Sequence, residues 1–317
     1  MSAETRVELD AEYRQLREEC GLLDRSARGK LLVSGPDGAE YLQGQLTSDV
    51  EALEPGDGQY AALLDRKGHM QGDMRVLRPA ADEILLDTEP EALPAVLRHL
   101  QMYSIGRDVA VTDISEERTI LSLIGPRSVE VAATAALPEN ACEETSVGTV
   151  SCLAVGTRNG IDLIAGAADA ERLAEVLRGA GAVPVSAEAA ELVRIEAGVP
   201  RFGAEMSSET MPAEAGIVDD AVSFTKGCYI GQETVARLHY KGKPNRHLRG
   251  LRLSAPAAAG AAVRLGEKEV GRLGSAAVSP AFGPIGLAVL RREAEPGAEV
   301  AVGEDGVTAQ VSDLPFG

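Results

Sequence analysis

Near Gly242 the character of the chain changes, and this change constrains the fold more than any other feature. Up to that point apolar residues recur at helical spacing between short strands. Beyond it helical periodicity stops, and six short β-rich runs follow closely: Leu248 to Leu253, Ala262 to Leu265, Val270 to Val278, Gly286 to Leu290, Val300 to Val302 and Val307 to Val311. Gly, Pro and Asp separate them, as turns require. Residues 242–317 therefore read as a small all-β domain of barrel type, and residues 1–241 as a larger α+β region.

Within that region Leu9 to Cys20, Leu93 to Met102, Ala170 to Leu177 and Ala187 to Ala197 carry apolar residues on one helical face. Ser186 stands where an N-cap belongs. The turn Gly35 to Gly38 opens a further helix carrying Tyr41, Leu42 and Leu46. Tyr60 to Leu64 and Met70 to Leu77 form a hairpin around Arg66-Lys67-Gly68. Lys30 to Val33, Ile84 to Asp87, Val109 to Ile114, Ile120 to Ile124, Val150 to Val155 and Ile161 to Ile164 add strands. Helices and strands alternate irregularly, and short turns join several strands. The pattern predicts antiparallel sheets rather than a doubly wound parallel sheet.

Charge and composition exclude several classes. The net charge is -18, from 31 basic and 49 acidic residues, and aromatic residues make up 3% with no Trp. Such a surface repels a phosphate backbone and offers few stacking platforms, so direct nucleic-acid binding is disfavoured. GxGxxG, Walker A and HExxH are missing. Cys20, Cys142, Cys152 and Cys228 show no CxxC or Cys/His ligand spacing, which argues against a metal or Fe–S site held within the chain. Met1 to Asp10 lacks the basic start and apolar stretch of a signal peptide, and no run approaches ~18 apolar residues. A cytoplasmic protein with reduced thiols is the expectation.

The densest chemical signal is Lys226-Gly227-Cys228-Tyr229-Ile230-Gly231-Gln232-Glu233. Gly227 and Gly231 permit a tight backbone path, and a helix from Gln232 to Tyr240 follows. A nearby cation and a helix N-terminus both favour a thiolate, so Lys226 and the helix start are candidates to tune Cys228. The alternative is that Cys228 is a packing cysteine. From Arg237 to Arg252 six Lys or Arg residues occur with no Asp or Glu. That island is either a solvated face or an anion-recruiting surface. Tyr229, Tyr240, Phe202 and Phe224 cluster in the same region, as core or as a stacking wall.

This segment, continued by Thr234-Val235-Ala236-Arg237, resembles the signature of the folate-binding YgfZ family, a branch of the glycine-cleavage T-protein (aminomethyltransferase) superfamily. Tyr41 to Val50, Leu64 to Gly68 with Gly72-Asp73, and Arg194 to Pro200 with Pro212 to Gly216 resemble three further family elements, in the family's order. The resemblance implies two interleaved α+β lobes and a C-terminal β-barrel around a folate-binding opening. It implies tetrahydrofolate as ligand and an accessory role in assembling or maintaining Fe–S proteins, tRNA-modifying enzymes among them. It puts Asp73, Asp162, Arg194, Glu196, Tyr229, Gln232 and Arg237 on the folate, and makes Cys228, Lys226 and Asp73 the chemical groups. Where the T-protein shows Asp-Asp, this chain has Gly72-Asp73. On residue type alone, Asp73 reads equally as a solvent-facing strand carboxylate, and Glu191 with Arg194 as an exposed helix pair. The alternative function is aminomethyl transfer to tetrahydrofolate.

Overall fold

The computed structural model describes residues 3–317; of the polar stretch Met1 to Asp10, Met1 and Ser2 lie outside it. Three β-systems dominate. A six-stranded sheet has the order Val183–Pro184, Gly21–Asp24, Arg118–Ile124, Gly160–Gly166, Val150–Thr157, Cys142–Val147. A five-stranded sheet runs Gly58–Leu64, Met70–Ala80, Glu83–Thr88, Gly29–Ser34, Ala110–Asp113. The third is a closed barrel of Arg246–Leu253, Gly283–Arg291, Lys268–Ser279, Ala262–Leu265, Glu299–Val302 and Val307–Ser312. It closes through antiparallel pairing of Gly250 with Ser312 and Leu253 with Ala309.

The two open sheets belong to one compact unit, made of residues 1–64, 71–190 and 220–230. Leu77 and Leu85 of the five-stranded sheet pack with Ile120, Val155 and Ile164 of the six-stranded sheet. The opposite face of the six-stranded sheet carries Leu121, Leu123, Ile161 and Leu163 against Leu173 and Leu177 of the helix Ala170–Gly179. Full burial of each such aliphatic side chain stabilises the unit by about 1.5–3 kcal/mol. The mixture of helices with antiparallel ladders is the predicted α+β class. The pairing of Gly21–Asp24 with Val183–Pro184 is parallel.

The second unit comprises residues 65–70, 191–219 and 231–317. It takes more than the barrel: Glu191–Asp219 and the helix Gln232–Lys241 group with it, whereas the sequence places the break at 242. The reason is packing and polar contact. Ile195 joins Ile285, Leu287 and Phe316 in one cluster, and Glu196 accepts a 2.5 Å hydrogen bond from Ser279 of the barrel.

Local chemistry accounts for most element ends. Ser186 Oγ accepts from the Ala189 N–H at 3.2 Å, the N-cap expected for the helix Ala187–Glu196. The first helix ends at Glu18 rather than Cys20, because Gly21 begins a strand. The helix Gly38–Gln43 stops short of Leu46, which instead bridges to Leu63.

Candidate functional site

Asp73 lies on the strand Met70–Ala80 and is buried, which removes the solvent-facing reading of it. The Tyr60 hydroxyl, from the neighbouring strand of the hairpin, donates to Asp73 Oδ2 at 2.6 Å. Asp73 Oδ1 is buried without a hydrogen-bond partner. Burial pushes the carboxyl up to about 6, although the Tyr60 bond and the Arg28 charge pull the other way. Burial and the same carboxylate hold the Tyr60 hydroxyl well above its ordinary value. Thr88 Oγ1 donates to the Asp73 carbonyl at 2.6 Å, fixing the backbone across the ladder.

Gly72 has a packing cause. A Cβ there would lie 2.7 Å from Val96 Cγ2 and 2.9 Å from Ala92 Cβ, at the start of the helix Leu93–Tyr103. A second carboxylate beside Asp73 has no room, so a single acid stands at this point of the strand.

Beside Asp73 runs a chain of ion pairs that the sequence reading did not foresee. Arg75 Nε donates to Asp87 Oδ2 at 2.6 Å, and Arg75 Nη1 meets Asp162 Oδ2 at 2.7 Å. Arg28 Nε donates to Asp87 Oδ1 at 2.5 Å, and Arg28 also pairs with Glu89. Asp87 is fully buried. Burial alone would raise its pKa, but Arg28 and Arg75 outweigh it and hold the carboxyl well below the usual range. Strand register explains the meeting: Arg75 and Asp87 are direct cross-strand partners. Asp162 is thus the buried counter-ion of Arg75. The pterin contact expected of Asp162 meets a carboxylate already engaged by a guanidinium.

The Cys228 segment forms a second centre in the same unit. Cys20, Cys142 and Cys152 are buried, and burial pushes the thiols of Cys20 and Cys142 up to about 11; Cys228 alone is exposed. Exposure removes the packing reading of Cys228. Lys226 behaves differently from expectation. Its ammonium is buried and donates to the carbonyls of Gln43, Leu46 and Ser48 at 2.6, 2.8 and 2.6 Å. All three of its donors are engaged, so it pins this loop to the Tyr41 to Val50 segment instead of serving the thiol. Burial lowers the ammonium to about 8, with Asp49 and Glu51 opposing the shift. Tyr229 is buried with its ring 5.2 Å from Lys226 Nζ. Gly231 takes φ +86, a conformation that suits glycine, whereas Gly227 has neither a positive φ nor a neighbour a Cβ would meet.

The remaining candidates belong to the second unit. Arg194 is not an exposed helix partner: its guanidinium donates to both Glu191 oxygens at 2.8 and 2.6 Å, to Glu205 at 3.1 Å, to Ser275 at 2.5 Å and to the Val199 carbonyl. These bonds saturate it, which leaves a structural role in place of the expected folate contact. Glu196 is buried against Ser279. Gln232 opens the helix Gln232–Lys241, and Arg237 is exposed on it. Tyr60, Arg28, Glu89, Arg75 and Asp87 escaped sequence reading, since scattered charges give no local signal.

Residues 3–226 match the family model described as the GCVT N-terminal domain, and residues 246–316 match the glycine cleavage T-protein C-terminal barrel domain. The chain belongs to the glycine-cleavage T-protein superfamily. A T-protein relative named aminomethyltransferase, from Rubrobacter xylanophilus, is 30% identical across 97% of this chain and 86% of its own length. One of the same name from Listeria monocytogenes is 29% identical, over 97% and 89%. The crystal structure of the glycine cleavage system aminomethyltransferase T from Bartonella henselae superposes with a TM-score of 0.88 at 23% identity, covering 98% of this chain and 89% of that one. The T-protein fold, with its C-terminal six-stranded barrel, is therefore the fold of this chain. No helix among the described residues is long and apolar enough to cross a membrane.

Proposed function

We propose that this chain is a tetrahydrofolate-binding protein of the YgfZ type, in which Asp73 meets the ligand and the exposed Cys228 thiol serves a separate step in supporting Fe–S proteins. One observation carries the folate reading. Asp73 presents a buried oxygen with no partner, while Tyr60 holds the other. A carboxyl poised near 6 can keep or release a proton at neutral pH, which suits contact with a ligand amine. Bound tetrahydrofolate supplies ring nitrogens able to carry a one-carbon unit. Asp73 binds and orients such a nitrogen, and Tyr60 fixes which carboxylate oxygen faces it. The Arg28–Asp87–Arg75 frame holds the strand beneath. For the thiol, the support is contrast: three cysteines are buried, and the one in the signature segment reaches solvent.

Calorimetric titration with tetrahydrofolate tests the reading. Wild type should bind, Asp73→Asn should lose at least about tenfold in affinity, as expected when a charged hydrogen bond is removed, and Cys228→Ala should bind as wild type does. Failure of wild type to bind removes the folate assignment. For the thiol, Cys228→Ala should fold normally yet fail to support an Fe–S enzyme in a reconstituted assay; full support by that variant refutes its role.

Relatives named aminomethyltransferase favour a second reading, transfer of a one-carbon unit to tetrahydrofolate. Release of ammonia and methylene-tetrahydrofolate from an aminomethylated carrier discriminates the two: turnover supports the transferase, and binding without turnover the accessory role.

A further inference from the structure

The two open sheets have four edges, and three of them are protected against a further strand. In the six-stranded sheet one edge, Val183–Pro184, carries a proline, and the other, Cys142–Val147, exposes the carboxylates of Glu143 and Glu144. In the five-stranded sheet Gly58–Leu64 is covered. The Thr47 N–H donates to the Ala62 carbonyl at 3.1 Å, Thr47 Oγ1 accepts from the Ala62 N–H at 2.8 Å, and Leu46 bridges to Leu63. The fourth edge, Ala110–Asp113, has neither proline nor cover, and its one charge, Asp113, stands at its end.

The direction of its backbone groups follows from the ladder. The Ile114 N–H donates to the Lys30 carbonyl at 2.9 Å, next to the pairing of Leu31 with Asp113 and Val33 with Val111. Alternate residues of an antiparallel strand turn their N–H and C=O away from the partner, so Val111 and Asp113 point outward. Asp108 bonds to Asp37 through both its N–H and its carbonyl, so Val109 continues the outward series. Among the described residues the outward side receives one bond, from the exposed Gln101 amide to the Val111 carbonyl at 3.3 Å. That bond is long, and a strand N–H would replace it.

Gln101 also brings the end of the helix Leu93–Tyr103 to this edge. With it come Met102, Tyr103 and Ile105, which are 58%, 41% and 84% exposed. They are half of the six large exposed hydrophobic residues among the described ones. Concentration of this kind marks an interaction surface. The Tyr103 ring is held against His99, with ring centroids 4.5 Å apart.

Charge selects the occupant. Arg107 precedes the strand, and its exposed partner Glu40 lies at 3.4 Å, a pair worth little in water. Asp113 Oδ1 accepts the Ser115 N–H and hydroxyl at 2.9 and 2.6 Å, and among the described residues its other oxygen takes no hydrogen bond. A second copy laid antiparallel and centred on Ala110 sets Val111 of each copy opposite Val109 of the other. It also brings each Asp113 to the Arg107 end of the other copy. A parallel arrangement would set Asp113 beside Asp113.

We propose that Ala110–Asp113 is a self-docking edge, through which two copies of this chain join their five-stranded sheets into one. The contact is isologous, and Met102, Tyr103 and Ile105 of each copy cover the junction. It involves neither Asp73 nor Cys228.

Analytical ultracentrifugation of the full chain at about 1–200 µM tests this, a range that brackets the weak affinity expected of a small interface. Wild type should pass from monomer to dimer across it. Val111→Pro removes an outward donor and keeps the ladder to Gly29–Ser34, and Ile105→Glu puts a charge in the junction. Each should weaken association at least about tenfold, with an unchanged thermal melt. Arg107→Glu and Asp113→Lys should each weaken it, and the two combined should restore it. A wild-type chain that stays monomeric at the top concentration overturns the proposal, whatever other strand the edge accepts. So does a dimer indifferent to Ile105→Glu, which decides the matter if Val111→Pro lowers the melt. A charge swap that restores nothing overturns the antiparallel pairing.

Discussion

Replacing Asp73 with Asn should stabilise the protein at neutral pH, and the sign should depend on pH. The folded carboxyl titrates near 6 instead of 3.8. The folded chain therefore holds a proton that the unfolded chain releases between those values, and stability falls as pH rises through that window. Above it the charged, buried Asp73 costs about 3 kcal/mol, from about two pKa units at 1.36 kcal/mol each. The Asn amide keeps an acceptor for the Tyr60 hydroxyl but puts an unpartnered donor where the bare oxygen stood, a cost of about 1 kcal/mol. The net expectation is about 2 kcal/mol of added stability at pH 7.5 and close to none at pH 4, where the folded wild-type Asp73 is protonated and its buried charge is gone. Amide hydrogen exchange over the strand Met70–Ala80 reads this locally, which avoids treating two compact units as one transition. Protection in the variant should rise roughly 30-fold at pH 7.5, the equivalent of about 2 kcal/mol, and match wild type at pH 4. Equal protection at pH 7.5, or the same gain at both pH values, would show that burial does not hold this carboxyl above its ordinary value.

Asp87→Ala strips Arg28 and Arg75 of their shared buried carboxylate and should destabilise the first unit by about 3–5 kcal/mol, measured by thermal unfolding at pH 7. In wild type the stability due to Asp87 is present above the ordinary carboxylate value of 3.8 and is lost as pH falls below it, since its folded pKa is depressed. Iodoacetamide applied to the native protein should modify Cys228 and spare Cys20, Cys142 and Cys152, as read by peptide mass. Modification of a buried thiol at the Cys228 rate would contradict the packing. Lys226→Met leaves three carbonyls without their donor at about 1–3 kcal/mol each; exchange should accelerate at residues 43–48 and 226–230 together, and acceleration at one segment alone would refute the tie.

The barrel was legible because its strands are short β-rich runs separated by Gly, Pro or Asp with no helical period between them, so composition and punctuation agree. The elements that escaped are those where the two conflict. Cys142–Val147 buries its ends and exposes Glu143 and Glu144, which hides the alternation of an edge strand. Gly21–Asp24 and Val183–Pro184 are too short to show any period, and only pairing with distant partners, Arg118–Ile124 and each other, makes them strands. At the site, Asp73 stood out through the motif around it, and Tyr60 could have been found by folding the hairpin back from its turn. Arg28, Arg75, Asp87 and Asp162 come from one turn and two separate sheets, and only the Arg75–Asp87 contact follows strand register, so segments more than a hundred residues apart meet in a way no local pattern encodes. Lys226 misled for a related reason. Adjacency to Cys228 suggested a service to the thiol, but what decides a buried ammonium is the nearest set of carbonyls, and these come from residues 43–48.

The buried ion pairs bear on why Asp73 is held as it is. A network such as Arg28–Asp87–Arg75–Asp162 is a weak source of stability, because desolvation offsets most of the Coulomb gain and an apolar replacement of similar volume often does as well. The first unit already packs its two sheets through Leu77, Leu85, Ile120, Val155 and Ile164, so stability alone gives little reason to keep these charges. Their geometry offers another. Arg28 lies close enough to lower the Asp73 pKa, yet Asp87 and Glu89 occupy its donors, so the guanidinium acts through space and leaves Asp73 Oδ1 bare. Were Arg28 bonded to Asp73 directly, the carboxyl would be driven low and capped. Without Arg28, burial would drive it higher still. A titration near 6 with one unpaired buried oxygen requires the cation to be near and otherwise engaged, and the Asp87–Glu89 clamp supplies both conditions.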